Sequence, residues 1–129
     1  LFSFHPKRAR YTRSFFYPFH NLFSMSNKPK LKITVIKRLD PHELFDPLPV
    51  TLKNPMGPCS VFHDGQVIHV NESLRMPDGF CETAWKNFYH NIRTLGYGGS
   101  LPFFEETNVA INSCTDGMRP VIFKIERVK

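Results

Sequence analysis

One stretch of the chain has a clear helical rhythm. In Met76–Gly99 the apolar residues Ala84, Trp85, Phe88, Ile92 and Leu95 recur at spacings that place them on one helical face. Cys81 lies on the same stripe, three and four positions before Ala84 and Trp85. Asp78 or Gly79 is placed to begin this helix, and Gly96 to end it in a left-handed cap. Around it the pattern shortens to the two-residue alternation of strands. Lys32–Arg38 sets Ile33, Val35 and Lys37 against Thr34, Ile36 and Arg38, and an apolar residue on each face predicts a central strand. Val61-Phe62 leads through an Asp64-Gly65 turn into a second strand, Gln66–Val70. Asn108–Cys114 alternates again, and Pro120–Val128 is the most β-prone run. Asp116-Gly117 between these two predicts an antiparallel hairpin.

The connections are proline- or glycine-rich. Leu39–Pro58 contains Pro41, Pro47, Pro49 and Pro55, and within it Asp40–Phe45 predicts one helical turn with Asp40 as cap and Pro41 in first position. Pro102–Thr107 is a loop whose Phe103 and Phe104 are expected to cover the edge of the core. The expected fold is α+β: a small, mostly antiparallel sheet, with room to curl towards a barrel, covered by one main helix.

Charge divides the chain in two. Its 129 residues carry a formal +6. All of that excess lies in residues 1–30, where Lys7, Arg8, Arg10, Arg13, Lys28 and Lys30 meet no acid. Residues 31–129 balance eleven basic against eleven acidic side chains. The expected folded domain, 31–129, is therefore neutral, which argues against a nucleic-acid partner. The leader is basic, acid-free and rich in Phe and Ser. It reads either as sequence upstream of a chain that starts at Met25, or as an organellar targeting segment over residues 1–24. A third reading, a membrane-surface segment, is opposed by Pro6 and Pro18. No run approaches the roughly 20 apolar residues of a transmembrane span, so an intracellular, cytoplasmic protein is expected.

Candidate chemistry rests on Cys59, Cys81 and Cys114. None forms a CxxC pair, and an odd count disfavours a disulfide framework. Each is expected at an element junction, and junctions at one end of a sheet can converge. Three readings follow. The cysteines are small buried apolar residues. They are metal ligands for zinc or an iron–sulfur cluster, with Ser113, His63 or water in the fourth position. Or Cys81, at a helix start that favours a thiolate, is a reactive nucleophile. Asp116 and Arg119 are ordinary turn residues on one reading and an anion-gripping rim beside Cys114 on the other. His63 is the one candidate base; His69 flanks the second strand, His42 belongs to the proline-rich loop, and His90 falls off the helical stripe at a solvated position. Trp85 belongs to the core stripe. No phosphate-binding glycine loop, G-x-S-x-G elbow or HExxH is present. Two classes of function remain: a binding module for a small ligand, metal or protein partner, or a small thiol-dependent enzyme.

Several of these residues fall in motifs: Gly57-Pro58-Cys59 with Phe62 and Asp64-Gly65, Met76-Pro77, Gly79-Phe80-Cys81, Ala84-Trp85, and Cys114 through Lys124. In this order they resemble a small prokaryotic and fungal family of short proteins with no assigned function. The resemblance runs from about Leu31 to the C-terminus and implies no mechanism. Members of that family often carry a second cysteine before the one matching Cys114. Ser113 stands there in this chain, so a four-thiolate site does not carry over.

Overall fold

Alternation in the first strand sets the architecture. The computed structural model describes residues 28–129, and the expectations for the leader lie outside them, apart from its last three residues. Strand β1, Pro29–Arg38, begins two residues before the expected domain start and buries Leu31, Ile33 and Val35 completely. It is the central strand that was expected, pairing antiparallel with β2 (Val67–Asn71) and with β4 (Val121–Arg127). Strand β3 (Val109–Ser113) completes the sheet as the expected antiparallel hairpin partner of β4. The order is β2-β1-β4-β3, and the sheet is open rather than closed into a barrel.

Ile36 does not face the core as expected, although β1 is central. The β1–β4 ladder steps from Val35↔Phe123 to Lys37↔Ile122, and this bulge leaves Ile36 48% exposed. The one-turn helix α1, Pro41–Leu44, forms as expected. The Asp40 side chain accepts from the backbone of His42, and the Asp40 amide donates to Glu43 at 3.1 Å.

The main helix, α2, spans Glu82–Gly96 and lies against β1, β3 and β4. Its stripe is buried as the spacing requires: Ala84, Trp85, Phe88, Ile92 and Leu95. Both ends differ from expectation. Gly79 has φ +75°, so it turns the chain before the helix, and Cys81 becomes the N-cap. At the other end Gly96 is still helical. A Cβ there would lie 2.5 Å from Leu74 Cδ1, so close packing explains the glycine, and Gly98, at φ +87°, takes the left-handed position.

Phe62, Phe80, Trp85, Phe88 and Phe123 form an aromatic centre between helix and sheet, with Phe62–Phe123 and Phe88–Phe123 ring centroids both 5.2 Å apart. Phe103 and Phe104 do not cover it. Phe103 is 80% exposed, and Leu101 packs against the core from that segment instead. Val61-Phe62 lies in the loop that leads to β2. Arg38 Nη1 donates to the carbonyls of Cys59 (2.8 Å) and Phe62 (3.0 Å), satisfying backbone groups that a ladder would otherwise engage. Among the described residues no helix is long and apolar enough to cross a membrane.

Candidate functional site

The three junction cysteines border one cavity. The N-terminus of α2, the 59–62 loop and the β3–β4 hairpin enclose a cavity of about 160 Å³ bordered by Cys59, Cys81 and Cys114. Val61, Phe62 and Val121 give it apolar walls, and Thr83, Asp116 and Arg119 complete its rim. All three cysteines are half-buried free thiols. Two larger depressions, near His69–Asp78 (about 340 Å³) and Glu105–Lys129 (about 440 Å³), are more open to solvent and carry no thiol.

Each thiol is placed by a different device. Cys114 follows β3; its amide donates to the Val121 carbonyl at 3.0 Å, and its Sγ accepts from the Val121 amide at 3.3 Å. Cys59 is held through its carbonyl by Arg38. Cys81 occupies the N-cap of α2 with extended backbone, and its Sγ lies 3.2 Å from Thr83 Oγ1.

The Cys81 environment shifts its acidity. Partial burial opposes ionisation and pushes its pKa up. The Thr83 hydroxyl, then the backbone N–H groups of Ala84 and Thr83, push it down further, against a small opposing effect of the Glu82 carboxylate. The net result lies below the ordinary cysteine value. The two N–H groups favour the thiolate electrostatically, although neither makes a capping hydrogen bond of regular geometry.

Asp116 shapes the turn and pairs with Arg119, as the turn reading expects. Oδ1 accepts from the Met118 amide (2.9 Å) and the Arg119 amide (3.3 Å), as in an Asx turn, while Oδ2 takes Arg119 Nε at 3.4 Å. Arg119, paired in this way through Nε, also borders the cavity.

The proposed fourth ligands do not join the thiols. His63 is exposed and does not border the cavity; its amide donates to Gln66 Oε1 at 3.1 Å. Ser113 Oγ donates to the Cys114 carbonyl at 3.1 Å, and its own carbonyl accepts from Asn87 Nδ2 at 2.8 Å. Among the described residues no group of three or more His, Cys, Asp or Glu side chains is arranged to hold a metal ion.

Two contributors escaped the sequence reading. Thr83 was detectable in principle, because a Cys-x-Thr pair at a helix start sets both side chains beside the same unsatisfied N–H groups. Arg38 was not, since its loop partners lie 21 and 24 residues away.

No protein-family model matches the chain, and neither curated proteins nor solved structures give a match.

Proposed function

We propose that the protein is a small binding module whose working group is the Cys81 thiolate, a thiol-dependent site for a small ligand with a soft electrophilic centre. The observation that supports it is the convergence of Cys59, Cys81, Cys114 and Arg119 on one small apolar cavity. The Thr83 hydroxyl and the N–H groups of Ala84 and Thr83 favour ionisation of Cys81, which lessens its dependence on a general base. Arg119, held by Asp116, supplies positive charge at the rim for an anionic group on the ligand. The size of the cavity limits the occupant: an engineered apolar cavity of ~150 Å³ accepts benzene, so a ligand about as large as one ring fits.

The test is competitive alkylation of the full chain with limiting iodoacetamide at pH 7, mapped by mass spectrometry. Cys81 is expected to label several-fold faster than Cys59 and Cys114. Equal labelling of the three would overturn the reading. A second reading, in which the thiols share a soft metal such as zinc or an iron–sulfur cluster, has only their common cavity behind it, since no group of described ligand side chains is arranged to hold a metal ion. Elemental analysis and an absorption spectrum of protein purified without oxygen decide it: a stoichiometric metal would replace the thiolate reading.

A further inference from the structure

We propose that this cavity reduces small organic hydroperoxides, with Cys81 Sγ as the attacking atom and Cys59 or Cys114 as the thiol that completes the reaction. The inference rests on Cys81 being the working thiol and adds the class of substrate.

Peroxide reduction by a thiol makes four demands. It needs a nucleophilic sulfur, a hydrogen-bond donor beside that sulfur to hold the peroxide, a cation to receive the charge of the departing oxygen, and a second thiol to remove the oxidised product. All four meet here. Thr83 Oγ1 lies 3.2 Å from Cys81 Sγ, and beside a thiolate its hydroxyl must be the donor. Arg119 borders the same cavity, oriented by the Asp116 carboxylate at 3.4 Å. Cys59 and Cys114 supply further thiols within a space of about 160 Å³. Val61, Phe62 and Val121 suit an alkyl group better than a second hydroxyl, which selects organic hydroperoxides over hydrogen peroxide.

In the first step Cys81 S⁻ attacks the terminal oxygen of R–O–OH. An S–O bond forms, the O–O bond breaks, and RO⁻ leaves beside Arg119 and takes a proton from water. Sulfur loses two electrons and the peroxide gains them, giving Cys81–SOH and ROH. In the second step the Cys59 or Cys114 thiol attacks the Cys81 sulfur. An S–S bond forms, the S–O bond breaks, and hydroxide departs with the thiol proton as water. A dithiol reductant restores both cysteines by exchange, itself becoming a disulfide.

The test uses the reduced full chain, purified without oxygen and mixed with tert-butyl hydroperoxide, with hydrogen peroxide in parallel. Each chain is expected to consume one equivalent on the order of 100-fold faster than free cysteine, with the organic peroxide preferred. Mass mapping should find a disulfide containing Cys81. Cys81→Ser should abolish the reaction. Thr83→Val and Arg119→Ala should each slow it by about 100-fold, the loss of one preorganised donor, while Thr83→Ser restores it. Melting curves of each variant separate lost chemistry from lost folding. Consumption no faster than by free cysteine, or oxidation of Cys81 without a disulfide, would overturn the proposal. If Cys81 still alkylated fastest in that case, the thiol-site reading would stand; if it did not, both would fall.

Discussion

The two ends of α2 are built differently. Every helix leaves four N–H groups at its start and four carbonyls at its end without helical partners. The C-terminal end is closed off. Arg127 Nη1 donates to the Leu95 carbonyl (3.0 Å) and the Gly99 carbonyl (2.9 Å), Gly99 N–H reaches the Thr94 carbonyl at 2.8 Å, and Leu74 packs onto Gly96. At the N-terminal end a cysteine occupies the position where Ser, Thr, Asp or Asn stabilises a helix by roughly 0.5–2 kcal/mol. Its N–H groups act on a sulfur that borders a cavity. One end contributes stability; the other leaves stability unused and carries the candidate chemistry.

The largest effect is expected between the ends. Trp85 is only 7% exposed and packs edge-on against Phe80 and Phe88 and tilted against Tyr89, so Trp85→Ala should cost about 3–5 kcal/mol in denaturant unfolding. A native Trp fluorescence spectrum typical of full solvent exposure would contradict that placement. Arg127→Ala removes charged donors from the C-terminal carbonyls and should cost about 2–3 kcal/mol. An unchanged melting temperature would erase the difference between the two ends. Cys81→Ser should do the opposite: stability stays within about 1 kcal/mol of the parent or rises, because Ser is the better cap, while the fast-labelling thiol disappears. A loss as large as that for Arg127→Ala would make Cys81 a structural residue.

The smallest effect is the pH dependence. The native Cys81 pKa is lowered, so its thiolate stabilises the fold fully above the unfolded-chain value of about 8.5 and loses that contribution as pH falls through the native pKa. The melting temperature of the parent relative to Cys81→Ser should therefore rise with pH, and the alkylation rate of Cys81 should titrate below that of free cysteine. A midpoint at or above the free-cysteine value would remove the electrostatic asymmetry between the ends.

Much of the fold was legible along the chain, and for a local reason. The buried stripe from Ala84 to Leu95, the Asp40–Pro41 cap and the Asp116-Gly117 hairpin each depend on residues a few positions apart. The mistakes occurred where a distant residue decides. Gly96 reads as a cap until Leu74 is seen against it, and Phe103 reads as a core lid until Leu101 takes that place. Ile36 reads as inward-facing until the ladder with β4 skips it.

The same boundary runs through the site. The residue types, the helix start at which Cys81 could ionise, and the turn that joins Asp116 to Arg119 follow from sequence alone, because backbone geometry over one turn dictates them. That Cys59, Cys81 and Cys114 share one cavity, while His63 and Ser113 lie off it, was decided only by the order β2-β1-β4-β3 and by the packing of α2 on that sheet. Spacing along a chain carries no information about which distant junctions meet. That is settled by how the apolar faces of helix and sheet bury one another.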